Sequence, residues 1–245
     1  MKAQAIVASL LAGLATGLGA LVVVLVPNFS RRLYDTLLGF SAGVMLGAAT
    51  LNLLMPALEL GRLFTVVLGL VSGALLVLWL ERNLPRLEPH FAPTVNGPGK
   101  RLGMLMAAAM TLHNLPEGLA VGVAFTPATQ SLGIIVALAI ALQNVPEGLA
   151  VAAPLRAAGC PPWAAVFWGT ASGLTEPLAA AVGVLLVGLF GPFVPYGLAL
   201  AAGAMIYVVS DQLIPEIRSN PKDKIPSLAL VLGFLIVTIL TKLFG

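Results

Sequence analysis

Eight apolar runs, each about as long as a bilayer is thick, constrain this sequence more than any other feature. They fall at residues 3–26, 35–58, 62–81, 102–125, 131–154, 163–190, 195–215 and 225–244. A helix needs about 20 mostly apolar residues to cross the hydrocarbon core. Of the 245 residues, 59% are apolar and only 9% charged, whereas soluble domains carry about a quarter charged residues. Too little polar surface is available to cover a water-soluble globule, so lipid is the solvent for much of the chain. The expectation is an all-α membrane protein with eight transmembrane helices in one domain, residues 1–245. The first run, Ala3 to Val26, exceeds the roughly 7–15 residues of a signal-peptide core and is read as a span that stays.

Punctuation between the runs agrees with this reading. Pro27 and Asn28 end the first run, Glu59 to Arg62 make a tight turn after the second, and Gly191, Pro192 and Pro195 interrupt before the seventh. The stretch from Glu81 to Arg101 holds four prolines and two glycines, which predicts a loop over 82–101. Lysines and arginines are unevenly divided between the two sets of loops. Those after spans 1, 3, 5 and 7 hold Arg31, Arg32, Arg82, Arg86, Lys100, Arg101, Arg156, Arg218, Lys222 and Lys224; the other set holds Lys2, Arg62 and Lys242. Ten against three predicts both termini outside and the 82–101 loop in the cytoplasm. The basic residues are scattered, with no cluster longer than two adjacent residues, so nucleic acid is excluded as a partner. One cysteine, Cys160, rules out an internal disulfide and any site built on two or more thiolates.

The chain repeats itself. Leu112 to Val121 reads LHNLPEGLAV and Leu142 to Val151 reads LQNVPEGLAV, eight of ten positions matching at a spacing of thirty residues. Weaker echoes pair Ala15-Thr16-Gly17-Leu18 with Ala171-Ser172-Gly173-Leu174. A further one pairs Gly43-Val44-Met45 and Leu54-Met55-Pro56 with Gly203-Ala204-Met205 and Leu213-Ile214-Pro215. Under the predicted topology each pair crosses the membrane in opposite senses. The expected arrangement is therefore a 3+2+3 inverted repeat, an architecture transporters use to expose one site alternately to each side.

Among ten acidic residues, Glu117, Glu147 and Glu176 lie deep within apolar runs. A bare carboxylate there costs at least a few kcal/mol, and no lysine or arginine sits at comparable depth to offset it. Protons, water or a bound cation remain as partners. His113 and Glu117 are four residues apart and share one helical face; Gln143 and Glu147 repeat that spacing on the next span. Asn114 and Asn144, one position later, point about 100° around the helix and can face a second, adjacent site. One imidazole, several carboxylates and amide oxygens suit Zn²⁺, with Cd²⁺, Mn²⁺ and Fe²⁺ as further candidates. Pro116, Pro146 and Pro177 each stand beside one of the glutamates and free the carbonyls of Leu112, Leu142 and Gly173. Unpaired backbone at that depth is tolerated only against protein or a wet cavity. Met45 and Asn52 on span 2, with Asp211 and Glu216 near the cytoplasmic end of span 7, are candidates for a secondary metal path; packing and interfacial roles compete for them.

At HNLPEG and QNVPEG the chain resembles the ZIP family of divalent-metal transporters, its prokaryotic GufA-like branch in particular. The resemblance covers the whole chain and implies a multi-pass protein of the bacterial plasma (inner) membrane. It also implies a two-metal centre, with His113, Glu117, Gln143 and Glu147 at one site and Asn114, Asn144 and Glu176 at the other, the PEG glutamates bridging. Many members have histidine where Gln143 stands, some have aspartate where Asn144 stands, and relatives often place histidine or glutamate in the Ser210-Asp211-Gln212 stretch. The usual histidine-rich loop is reduced here to His90. The resemblance weakly suggests a homodimer; the small faces at Gly13, Gly17, Gly69 and Gly73 permit close helix packing within or between protomers.

The expected function is uptake of zinc toward the cytoplasm by alternating access. Metal binding would displace protons shared among the three carboxylates, so uptake should weaken in acid. A metal exporter or channel using the same site is one alternative. An intramembrane metal-dependent hydrolase is the other, but the chain lacks HExxH and a converging nucleophile, so no enzyme activity is expected.

Overall fold

A computed structural model describes residues 2–26, 30–91, 98–125, 130–189, 193–218 and 222–244, with the side chains of 84–109 excepted. Its eight long helical elements follow the eight apolar runs: α1 (Lys2–Leu25), α2 (Arg31–Leu60), α3 (Leu63–Phe91), α4 (Pro98–Ala124), α5 (Gln130–Ala157), α6 (Pro162–Leu189), α7 (Phe193–Ile217) and α8 (Ile225–Phe244). Among the described residues, seven of these are long and apolar enough to cross a membrane, all but α4. The side chains of α4 are described only from Met110 onward.

The expected 82–101 loop is largely replaced by helix, since α3 continues to Phe91 and α4 begins at Pro98. Residues 92–97 lie outside the described residues, as does the side chain of His90. Apolar length marks where lipid ends rather than where a helix must end, and Arg82, Arg86 and Glu88 are good helix formers.

Three of the helices are irregular, each beside a proline. In α2 the ladder widens into a π segment over Ala48–Leu54, and the Met55 N–H reaches back five residues to the Thr50 carbonyl. The same widening occupies Val209–Leu213 in α7, where the Ile214 N–H bonds the Val209 carbonyl. Pro56 and Pro215 follow immediately. Each lacks an N–H and crowds the carbonyl four residues back, and a wider turn relieves both problems. Helix α6 breaks outright into Pro162–Gly173 and Glu176–Leu189, with Pro177 in the first turn of the second half. Pro116 and Pro146 leave α4 and α5 continuous.

Packing divides the helices into two sets. Helices α1, α4, α5 and α6 pack on one another, while α2 packs along α8 and α3 along α7, with the π segment of α2 against α7. The sets meet mainly along two seams, α2 on α5 and α4 on α7. Glycine permits the tightest of these approaches. A Cβ on Gly148 would lie 1.8 Å from the Thr16 carbonyl oxygen, and one on Gly43 would lie 1.9 Å from that of Leu230. The small-residue faces of the sequence are used inside the chain: Gly13 meets the Gly173 carbonyl, Gly17 meets Thr170, and Gly69 and Gly73 meet Tyr196 and Leu200.

Candidate metal site

The three glutamates enter the first helix set from three helices. Glu117 stands in the middle of α4, Glu147 holds the repeat-equivalent position in α5, and Glu176 opens the second half of α6. The break in α6 puts the Glu176 side chain at a helix N-terminus, where the local dipole favours negative charge. All three are buried, with exposures of 0%, 2% and 0%.

Each carboxylate has one oxygen held. Gln143 donates to Glu117 Oε1 at 2.7 Å, Ser41 Oγ donates to Glu147 Oε1 at 2.7 Å, and Asn144 donates to Glu176 Oε1 at 2.6 Å. The Asn144 amide also donates to the Ala12 carbonyl at 2.8 Å, tying α1 to the site. Among the described residues, the second oxygen of each of these three glutamates, Oε2, is buried without a protein hydrogen-bond partner, as are the side-chain oxygens of Gln143, Asn144 and Asn114. A hydrogen bond to a charged group contributes about 1.5–3 kcal/mol, whereas burying a carboxylate costs several. One bond apiece does not offset three such burials, so protons, water or a cation have to supply the rest. Six unpartnered oxygens on three helices form a donor set for a cation.

His113 lies on the same helix as Glu117 but is engaged elsewhere. Its Nε2 pairs with the side-chain oxygen of Gln212 on α7, and its Nδ1 lies 3.4 Å from Met110 Sδ. The Gln212 amide in turn donates to Glu81 Oε1 on α3, whose other oxygen accepts from Tyr207 at 3.2 Å. Among the described residues, no three His, Cys, Asp or Glu side chains are arranged to hold a metal by themselves. Any cation here relies on the amide oxygens of Gln143, Asn144 and Asn114 beside the carboxylates.

The four secondary candidates are scattered. Met45 is buried within α2. Asn52 is buried in the π segment, its oxygen accepting from Thr241 of α8 at 2.7 Å and its amide nitrogen unpartnered. Asp211 lies exposed on the π segment of α7, and Glu216 is ion-paired to Arg31 at 2.6 Å. Ser41, Glu81 and Tyr207 were not singled out by sequence as site residues, and Gln212 was named only within the Ser210-Asp211-Gln212 stretch where relatives often place histidine or glutamate. A lone hydroxyl in the Gly/Ala-rich start of α2 was the available signal for Ser41, and Glu81 read as the end of a span.

Comparison with known proteins places these residues in context. The sequence model of the family described as "ZIP Zinc transporter" matches residues 98–241. The chain is 39% identical to "Zinc transporter GufA" of Myxococcus xanthus over 98% of each chain. It is 36% identical to "Zinc transporter ZupT" of Corynebacterium glutamicum over 96% of this chain and 97% of the relative. Against "Zinc transporter ZIP11" of Homo sapiens the identity is 33%, over 91% of this chain and 92% of the relative.

Proposed function

The chain belongs to the ZIP zinc transporter family, and on that premise we propose that it carries Zn²⁺ across the bilayer toward the cytoplasm by alternating access. The observation that carries this reading is the trio of buried glutamates, each with one oxygen held by a neighbouring side chain and the other left unpartnered beside amide oxygens. Zn²⁺, with Cd²⁺, Mn²⁺ and Fe²⁺ as competitors, would be bound by Glu117, Gln143 and Glu147 on one side and Asn114, Asn144 and Glu176 on the other. His113 would join once released from Gln212. Three carboxylates leave a net charge of −1 with one Zn²⁺ and +1 with two, so occupancy by one or two ions is electrostatically balanced.

The 3+2+3 inverted repeat belongs to the same proposal. If α1, α2 and α3 correspond to α6, α7 and α8, and α4 to α5, then α1 on α5 is the counterpart of α6 on α4. Likewise α2 on α8 is the counterpart of α7 on α3, and the seam α2–α5 that of α7–α4. All of these pairs pack, and the two π segments fall at corresponding places. The bias of Lys and Arg puts both termini outside. Helices α1, α4, α5 and α6 would move with the cargo while α2, α3, α7 and α8 hold the bilayer. The test is uptake of Zn²⁺, Cd²⁺, Mn²⁺ and Fe²⁺ into proteoliposomes, wild type beside Glu147→Ala. Saturable uptake lost in the variant supports the carrier. Wild-type protein that is folded but takes up none of the four ions overturns it.

A further inference from the structure

Among the described residues, two side chains, Ser41 and Gln212, make polar contacts across the seams between the helix sets, and both reach the proposed cargo site. At the α2–α5 seam, Ser41 Oγ donates to Glu147 Oε1 at 2.7 Å and lies 3.4 Å from the Gln143 carbonyl. At the α4–α7 seam, Gln212 accepts from His113, and Gln212 is itself held by Glu81. His113 and Gln143 occupy equivalent places in the LHNLPEGLAV and LQNVPEGLAV repeats. Each half of the repeat is therefore tied to the opposing helix set next to its PEG motif.

We propose that Ser41 and Gln212 are positioning residues that hold the cargo-binding helices in place when no cation is bound and release them when one is. The inference rests on the carrier reading above. Its logic is competition for one atom. Glu147 Oε1 has to leave Ser41 once the carboxylate chelates one ion or bridges two with both of its oxygens, and His113 Nε2 cannot ligate while paired with Gln212. A cation that recruits both Glu147 oxygens and His113 breaks both seam contacts. Loading then removes the polar ties between the helix set that carries the site and the set that does not. The surroundings fit this role. Ser41 is fully buried, so no water competes for its hydroxyl. Gln212 is oriented by Glu81, which Tyr207 fixes in turn, so its oxygen is presented to the imidazole. The buried residues of α2 and α5 near these contacts include apolar and small side chains such as Leu38, Ala42, Met45 and Ile140, which make no directional bonds of their own.

This predicts an unusual sign. A residue that ligates the ion, or merely supports the fold, weakens binding when removed; a residue that competes with the ion strengthens it. Equilibrium Zn²⁺ binding to the full chain in nanodiscs, read by calorimetry, is the direct measurement. Ser41→Ala should bind Zn²⁺ about two- to tenfold more tightly than wild type, the equivalent of one lost hydrogen bond. Ser41→Thr, which keeps the hydroxyl, should return toward wild type. Gln212→Met should also tighten binding, and the double variant should show the product of the two effects, since the seams are separate. Uptake by both single variants should show a lowered KM. Weaker or unchanged binding in Ser41→Ala and Gln212→Met would overturn the proposal, and a loss in Ser41→Ala restored by Ser41→Thr would make Ser41 a ligand instead. Glu117→Ala is the control for the underlying reading: if it binds Zn²⁺ as wild type does, the site assignment fails and this inference with it. If Glu117→Ala loses binding while neither seam variant tightens it, only the seam proposal fails.

Discussion

The two helix sets bury carboxylates in opposite ways. In the set formed by α1, α4, α5 and α6, Glu117, Glu147 and Glu176 are buried with no cationic side chain bonded to them, and each keeps one oxygen without a protein partner. In the other set Asp35 is also buried, yet Arg31 Nε stands 2.8 Å away, one helical turn back along α2. The same arginine reaches Glu216 at the end of α7, and Arg32 reaches Asp223 just before α8 at 2.9 Å. One set therefore satisfies its acids from within and fastens the ends of α2, α7 and α8 together. The other leaves its acids incomplete. Residue type and burial are alike; the presence of a local counter-charge separates a fastening from a binding site.

The largest test of that contrast removes one incomplete acid. Glu117→Ala should reduce saturable Zn²⁺ uptake by at least ~100-fold, because losing a direct ligand exceeds the 10–100-fold usual for an outer-shell partner. The protein should still fold, since the change removes a buried carboxylate rather than exposing one. Monodisperse elution of the variant in detergent together with full uptake would dissolve the distinction between the two sets.

Next in size is the packing inside each set. Gly148→Ala would drive a methyl to within 1.8 Å of the Thr16 carbonyl oxygen where α5 meets α1, and Gly73→Ala would drive one to within 1.9 Å of the Leu200 carbonyl oxygen where α3 meets α7. Each should cost about 1–3 kcal/mol in stability, the usual penalty for overpacking, seen as a lowered Tm in detergent. Uptake separates them: residual folded Gly148→Ala should be inactive, because α1 and α5 carry Ala12 and Asn144 against Glu176. Folded Gly73→Ala should retain activity. Equal losses of uptake at equal stability would mean that the contrast between the sets has no functional content.

Acid should weaken the cargo site by an intermediate amount. A carboxylate must be free of its proton to ligate a metal, so binding releases protons and affinity falls as pH falls. For each proton displaced per ion, the apparent Kd should rise about tenfold per pH unit. Calorimetry in buffers of different ionisation enthalpy counts those protons directly. An apparent affinity that does not change between neutral and mildly acidic pH would argue against carboxylate ligands.

Much of this architecture was legible in the sequence, because bilayer thickness dictates the length of an apolar run and burial makes an isolated glutamate conspicuous. The eight long helices, seven of them long and apolar enough among the described residues to cross a membrane, the trio of acids and their amide neighbours came from those two constraints. The irregularities did not. A proline announces a lost hydrogen bond but not how the helix responds. Pro56 and Pro215 are met by a widened turn, Pro177 by a break, and Pro116 and Pro146 by a continuous helix. Which response occurs depends on what packs alongside. The partners Ser41 and Gln212 were hidden for a related reason. Both lie far along the chain from the residues they touch, with |i−j| of 106 for Ser41 to Glu147 and 99 for Gln212 to His113, and no periodicity within a helix encodes such a contact. The predicted 82–101 loop failed because charge and proline content mark the membrane boundary, while α3 and α4 run on past it.

The smallest expected effect sharpens the other side of the contrast. By sequence, Glu216 stood as a candidate for a secondary metal path; in the structure it accepts from Arg31, with the two side chains 46% and 56% exposed. Exposed pairs of this kind contribute about 0.2–1 kcal/mol, less at high salt. Glu216→Gln keeps the shape and removes the charge, and Arg31 retains Asp35. Its Tm should fall by no more than a few degrees, the fall should shrink as salt is raised, and both KM and maximal rate of Zn²⁺ uptake should stay at wild-type values. A severalfold rise in KM without a stability change would move Glu216 from the fastening to the path. The acids of the second set would then have to be counted among those that meet the cargo.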